Sequence, residues 1–456
     1  MAGSGQDGGC SVPQTGDKLV PQEPARLKPP PTPPPSQQRR PFVVKDASLH
    51  TMGDVLVRYV ESKIHQDIRE RDWSRIVVRG RYVRHQPAEC EKQHKMFNKH
   101  RPVTRVLYAL PDGEEAPVGE DGYAGSSATG GGRMIIGSTS TSELELSLNC
   151  FPGVEYSQHY ASLVATYLAL SGKNPGVVTW EPPSASVCEG ELSGSNLSAM
   201  GPVDIVLIGY VAQLAAVEQR EWEGGLVDGG LFSWQKRSLA NGTTVAYLTC
   251  MVSFWGDISY HLIAYLQRVC GMRCLLYVGK AGSLKPKVNP NEWLVTGDAC
   301  YTDDGHAHQR VAQGRDIPLS NKNSETRLRW TNALDREVAD SHKVLVGDIV
   351  TVPSPLCETH DWLREWAPPR ARWVDCEVGH MALASKRGGT AFGYLHLVSD
   401  NVAEVRDENL VTENLESVRA KRKLLMGVVD ELLEAFFVRC ERGEGPEQLY
   451  NRPGGQ

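Results

Sequence analysis

The sequence has no apolar run approaching the roughly 18–20 residues that a membrane-spanning helix needs. Its start, Met1–Cys10, lacks the basic flank and apolar core of a secretion signal. No C-x-x-C pair occurs, and no Cys/His cluster has zinc-site spacing. The nearest stretch, Asp303-Asp304-Gly305-His306-Ala307-His308, reads as a solvated loop. A basic excess is missing as well: 49 Lys and Arg face 55 Asp and Glu, a formal charge of −6. Nothing therefore draws the whole chain to nucleic acid or to an anionic membrane. The eleven cysteines stand singly apart from Cys270 and Cys274, several within apolar runs. They read as buried reduced thiols of a cytoplasmic protein.

What is present is an ordinary globular composition, 40% apolar and 23% charged, in 456 residues. Residues 1–40 are rich in Gly, Pro, Gln and Ser, and Pro29–Pro35 is interrupted once by Thr. Proline fixes φ and removes donors, so this stretch reads as a disordered, extended tail. It could dock an SH3-like or WW-like partner, or simply be solvated. Residues 443–456 read as a second flexible tail.

Residues 41–200 read as an α+β segment. Leu56, Tyr59, Val60, Ile64 and Ile68 recur at three- and four-residue spacing, which predicts one amphipathic helix from Asp54. Strands are expected at Arg75–Arg79, at Val103–Leu110 and around Leu144, Leu146 and Leu148. A mobile loop is expected over Gly113–Gly132, and a helix over Tyr156–Leu170 ending at Ser171-Gly172. Gly130-Gly131-Gly132 lacks the Gly-Lys-Ser/Thr end of a phosphate-binding loop. No motif in this segment names a chemistry.

Residues 201–442 have another texture. Apolar runs at Val203–Ile208, Thr244–Val252, Leu275–Val278, His342–Val352 and Tyr394–Val398 alternate with helical patterns. That is the signature of an α/β domain whose mixed central sheet is buried on both faces by helices. A long helix, Leu415–Arg439, should close it, with Leu424, Leu425, Val428, Val429, Leu432, Leu433 and Phe436 along one broad face.

Three short signals carry possible chemistry. In Tyr277-Val278-Gly279-Lys280-Ala281-Gly282-Ser283-Leu284 a strand runs into a glycine turn, where Gly279 and Gly282 would let backbone N–H groups approach a ligand. In Asp375-Cys376-Glu377-Val378-Gly379-His380 two carboxylates one residue apart could share one side of an extended segment and hold sugar hydroxyls. The alternative is a helix-entry turn with solvated acids. In Leu395-His396-Leu397-Val398-Ser399-Asp400-Asn401 an acid stands at the end of a buried strand, where open α/β sheets bind ligands. The alternative is a helix N-cap.

Together, over about Pro202–Phe437, these signals resemble the nucleoside phosphorylase and nucleosidase superfamily, which includes purine and uridine phosphorylases and methylthioadenosine/S-adenosylhomocysteine nucleosidases. Asp375-Cys376-Glu377 stands for its Glu-Met-Glu-like ribose motif, Ser399-Asp400 for its Ser-Asp pair, and Val346-Gly347-Asp348-Ile349 for the strand before the ribose motif. The resemblance implies cleavage of an N-glycosidic bond in a nucleoside or nucleoside-like substrate, without a cofactor. Glu377 would hold the ribose hydroxyls alongside Asp375 and Cys376, and Asp400, steadied by Ser399, would protonate the leaving base. Gly279, Lys280 and Gly282 would line the pocket. It also implies a homo-oligomer.

The sequence departs from the family pattern at several positions. Tyr277 and Lys280 stand where phosphorylases carry an arginine and a hydroxyl, and no arginine follows Gly209 until Arg220. Phosphate remains possible as co-substrate, with Lys280 as a point charge; otherwise water accepts the sugar. In the hydrolase branch the water-orienting glutamate falls at Leu214, and Glu218 is the nearest substitute. Val352-Pro353-Ser354-Pro355-Leu356-Cys357 lacks the family's acid and stacking ring, for which Phe254, Trp255 or Tyr277 could substitute. A binding or regulatory module that has lost turnover is the alternative reading. A third makes the domain an oligomerising scaffold and the proline-rich tail its working part.

Overall fold

The computed structural model describes residues 39–64, 66–80, 103–109, 115–117, 145–150, 152–218, 221–225, 231–250, 255–302 and 326–450. The Pro29–Pro35 stretch, Gly130–Gly132, Phe254 and residues 303–308 lie outside the described residues. The described residues form one compact unit.

A first sheet is built from β1 (Arg75–Gly80), β2 (Val103–Ala109), β3 (Glu115–Pro117), β4 (Glu145–Cys150) and β5 (Val178–Glu181), in the order β3-β2-β4-β1-β5. The strand β3 falls inside the stretch expected to be one loop over Gly113–Gly132; it pairs antiparallel with β2. The single helix expected from Asp54 is divided. Helix α1 covers Val55–Glu61, and a second short helix covers Gln66–Glu70. Between them the Ser62 hydroxyl donates to the Tyr59 carbonyl, and Lys63 N–H bonds three residues back to Val60. Both contacts compete with continuation of the α-helical ladder. Leu56, Tyr59, Val60, Ile64 and Ile68 are nonetheless all buried, so the apolar spacing was right and its continuity was not.

Helix α2 (Val154–Leu170) ends as expected at Ser171, with Gly172 at φ 71°. Its start is capped from a distance. The Asp257 carboxylate accepts from Val154 N–H at 3.0 Å and from Glu155 N–H at 2.9 Å. Asp257 itself precedes helix α3 (Ile258–Cys270).

The second sheet comprises β6 (Ile205–Gly209), β7 (Glu223–Gly224), β8 (Phe232–Ser238), β9 (Thr244–Cys250), β10 (Cys274–Ser283), β11 (Leu294–Thr296), β12 (Ala299–Thr302), β13 (Thr326–Arg329), β14 (Val344–Val346), β15 (Asp348–Thr351), β16 (Ala371–Asp375) and β17 (Ala391–Asn401). Its main path is β13-β12-β15-β16-β10-β6-β9-β8-β7, with β17 against β10 and β11. Helix α4 (Val378–Arg387) leads from β16 to β17, and helix α5 (Glu416–Glu441) follows β17. Parallel and antiparallel pairs coexist, so the sheet is mixed and flanked by helices.

Alternation along the central strands sorts their side chains onto two faces. Val206, Ile208 and Leu275 join a core with α2, α3, α4 and the first sheet. Ile205, Leu207, Cys274 and Leu276 join a second core with α5. Three local expectations change here. The run His342–Val352 is two strands with different partners, since Gly347 separates β14 from β15. Leu424 on α5 is exposed rather than part of the apolar face, because that face already fills with Leu425, Val429, Leu432 and Phe436. Residues 443–450, expected as part of a flexible tail, fold back: Leu449 is buried and the Tyr450 hydroxyl donates to the Cys440 carbonyl at 3.0 Å. No helix among the described residues is long and apolar enough to cross a membrane.

Candidate active site

The site begins with a defect in sheet pairing. Strand β17 follows one edge of β10 from Cys274 to Ser283. On the other edge β6 pairs only as far as Val278, and β16 pairs only from Gly282. Gly279, Lys280 and Ala281 are left without a strand partner on that side, and a cavity of about 820 Å³ opens there. Space at such a change of strand partners is where α/β sheets take ligands.

The expected strand-then-turn at Gly279 is thus one continuous strand, held straight by β17 and adjusted by a bulge between Ala281 and Gly282. The glycines serve contact rather than donation. Gly279 N–H is already given to His396 Nδ1 at 3.1 Å, and a Cβ on Gly279 would lie 2.8 Å from the His396 and Tyr277 rings. A Cβ on Gly282 would come 2.9 Å from Val402 and 3.3 Å from the Asp400 carboxylate. Because His396 Nδ1 accepts an N–H, its proton sits on Nε2, 3.7 Å from Asp375 Oδ2.

The two acids around Cys376 divide. Asp375 turns inward with its carboxylate fully buried. One oxygen accepts the Thr351 hydroxyl at 2.7 Å; the other accepts Glu377 N–H at 3.0 Å and Val378 N–H at 2.7 Å. It caps α4 and is occupied by the fold, so the solvated helix-entry alternative also fails. Glu377 lines the cavity, where its Oε2 accepts the Tyr277 hydroxyl at 3.2 Å. Burial and then the Asp375 charge raise the Glu377 pKa, against the Tyr277 and Gly256 hydrogen bonds that lower it. Beyond it, burial alone would lower His380, but Glu155 at 2.8 Å lifts it to about 9.

Asp400 lines the same cavity. It belongs to β17, paired with Gly282, and so is not a helix cap. The Ser399 hydroxyl donates to its Oδ1 at 2.6 Å. Burial raises the Asp400 pKa, opposed by Ser399 and Lys280. Glu358 also faces the cavity; burial and then the Asp400 charge raise it well above the carboxylate range. Lys280 donates to Glu413 at 2.6 Å, and Arg422 meets the same carboxylate at 3.1 Å. Burial would lower Lys280, yet Tyr210 and Glu413 hold it above its ordinary value.

Glu377, Asp400, Ser399, Cys376, Lys280, Gly279 and Gly282 therefore meet around one space. Glu218 ends the short helix Ala215–Glu218, and its side chain lies outside the described residues. Leu214 is buried, and Gln213 is the polar residue of that stretch on the cavity wall. Of the ring candidates, Trp255 reaches the cavity with one face stacked on His159, ring centres 4.1 Å apart. Tyr277 is held edge-on to His396.

Residues 41–200 supply Tyr59, Lys63, Tyr156, His159 and Leu163 to the wall. The sequence carried no signal for this, since each of them sits in an ordinary helical pattern. Burial, then the Lys63 charge, lowers His159 to about 3, so its neutral ring meets the Ser354 hydroxyl at 2.7 Å. Glu358 was missed for a similar reason: it follows a short 3-10 turn, Pro355–Cys357, with no motif around it. Among the described residues no group of three or more His, Cys, Asp or Glu is placed to hold a metal ion.

Residues 232–434 match the model of the Phosphorylase superfamily. Similar solved structures include a putative methylthioadenosine nucleosidase from Weissella paramesenteroides, 15% identical, covering 52% of this chain and 97% of that one, TM-score 0.38. Futalosine hydrolase of Helicobacter pylori is 15% identical over 53% of this chain and 99% of that one, TM-score 0.37. The 5′-methylthioadenosine/S-adenosyl homocysteine nucleosidase of Campylobacter jejuni is 16% identical over 51% and 99%, TM-score 0.38. No curated protein matches the chain.

Proposed function

We propose, from the membership of the C-terminal half in the nucleoside phosphorylase and nucleosidase superfamily, that this protein cleaves the N-glycosidic bond of a nucleoside or nucleoside-like molecule. The observation that carries the reading is the convergence of Glu377 and Asp400 on one cavity of ligand size. Glu377, oriented by Tyr277, holds the ribose hydroxyls and strengthens its hold as positive charge grows at the sugar.

Asp400 carries the proton for the leaving base. Burial raises its pKa, the direction a general acid needs, and the Ser399 hydroxyl fixes the carboxyl orientation. Glu358, its pKa pushed well up by burial and then by the Asp400 charge, lines the same cavity as a second acid. The C1′–N bond breaks, the base leaves with the proton, and water or phosphate attacks C1′. Gln213 is positioned on the wall to orient the attacking group. Cys150, Cys188, Cys270, Cys274, Cys300, Cys357, Cys376 and Cys440 are buried free thiols, in keeping with a reducing compartment such as the cytoplasm.

The test is incubation with a panel of purine and pyrimidine nucleosides, with and without phosphate, and chromatography for free base. Wild type should release base, and Asp400→Asn should lower the rate by about 10²–10⁴-fold. Nucleoside binding without release by wild type would overturn the reading in favour of a recognition module.

A further inference from the structure

We infer that the group accepting the sugar is water and not inorganic phosphate, and that Glu413 makes this choice by serving as the fixed counter-anion of Lys280 and Arg422 on the cavity wall. The inference deepens the nucleoside-cleaving reading above and rests on it.

Lys280 stands on the stretch of β10 that has no strand partner on the cavity side. Its ammonium donates to Glu413 Oε1 at 2.6 Å, and Arg422 Nη2 donates to the same oxygen at 3.1 Å. All three side chains line the cavity, yet they are shielded; that of Glu413 is 9% exposed. The Nε of Arg422 is engaged as well, donating to Asn291 Oδ1 at 2.7 Å. The guanidinium edge formed by Nε and Nη2, which could grip an oxyanion with two parallel bonds, is therefore taken.

Glu413 is held in place, unlike a solvated loop acid. It follows a closed turn in which Asn409 Oδ1 accepts Val411 N–H at 2.9 Å and Thr412 Oγ1 accepts Asn409 N–H at 2.8 Å. Glu408, earlier in the same loop, accepts from Lys421 of α5 at 2.8 Å and from Asn291 Nδ2 at 3.0 Å. Asn291 is buried and fixed to β17, its N–H donating to the Val398 carbonyl at 2.7 Å. One asparagine thus sets both the loop that carries Glu413 and the arginine that meets it. Glu413 also attracts Lys63, the cation that residues 41–200 add to the wall.

A phosphate entering here would have to displace a carboxylate already in two charge-assisted contacts, or sit close beside it. Displacement leaves a shielded charge without its partner, and close approach sets like charges together at low dielectric. Arg419 and Lys423 line the cavity too, but both are exposed, where water and salt weaken their pull. Water carries no charge and meets neither obstacle. As the C1′–N bond breaks, the base leaves with a proton from Asp400 and water bonds through its oxygen to C1′. The proton that water sheds goes to solvent, from which Asp400 regains its own.

The experiment runs the full-length protein on a nucleoside panel with and without inorganic phosphate at matched ionic strength, and identifies the sugar product by mass spectrometry. Wild type should release free sugar at a rate that phosphate does not change. Calorimetric titration should show phosphate binding about tenfold or more tightly to Glu413→Gln than to wild type. Lys280→Met in the Glu413→Gln background should remove that gain. A sugar 1-phosphate from wild type, or base release accelerated by phosphate, overturns the inference while leaving N-glycosidic cleavage intact. Equal phosphate affinity in wild type and Glu413→Gln, at matching melting temperatures, overturns the role of Glu413. Absence of base release from every nucleoside sinks the cleavage reading, and a phosphate gain in Glu413→Gln would still uphold Glu413 as the resident counter-anion.

Discussion

The Tyr277 hydroxyl reaches across 3.2 Å from β10 to Oε2 of Glu377, joining the central strand to the turn that opens α4. It orients the acid proposed to hold ribose and also favours its ionised form. The partner residue is itself buried beside acids, with its own pKa pushed well up by burial and then by Glu377, so it remains a donor.

Tyr277→Phe should therefore raise the Glu377 pKa further. If the carboxylate is the working form, the rising limb of kcat/KM against pH moves to higher pH, and the rate at neutral pH falls roughly tenfold. A pH–rate profile that coincides with wild type would remove Glu377 from substrate binding.

Glu358 makes an equilibrium prediction. Its folded pKa lies above the unfolded value of 4.5, so the folded state holds the proton more tightly. Stability consequently falls as pH rises above that unfolded value, until the folded pKa is passed. Glu358→Gln should match wild type in thermal melting near pH 4 and exceed it near pH 8.

The His380–Glu155 pair has the same sign from a different cause, a favourable ion pair rather than burial. His380 goes from 6.5 unfolded to about 9 folded, so its contribution is complete below pH 6.5 and is lost as pH rises through about 9. Glu155→Gln should lower stability on the order of 2–3 kcal/mol at pH 6, with the difference shrinking by pH 10. Urea unfolding at the two pH values measures it.

Gly209 ends β6 at φ 99°, and a Cβ there would run into the Val278 carbonyl. Gly209→Ala should cost roughly 1–3 kcal/mol and weaken ligand binding, because Tyr210 and Gln213 follow directly on the cavity wall. Urea denaturation and ligand titration together report both effects.

Much of this architecture was readable in advance. The uninterrupted apolar runs of β6, β9, β10 and β17 announced strands covered on both faces, and helices α2 and α5 announced themselves by spacing and end signals. The order and interval of Glu377 and Asp400 marked them as partners, and both do face one cavity. Other features depended on neighbours remote in sequence. Asp375 and Glu377 look alike as letters, but Thr351 and the amides of α4 claim only the first. Gly279 looked like a turn until β17 extended the strand through it.

The sequence by itself determined the layered α/β plan and the match of residues 232–434 to the Phosphorylase superfamily, since these follow from local periodicity and short motifs. Only tertiary structure decided that Glu358 and Asp400 line one cavity and that Lys63 and His159 from residues 41–200 wall the same space. The reason is physical: periodicity reports which face a residue turns inward, whereas burial, charge balance and pKa depend on what other parts of the chain bring to meet it.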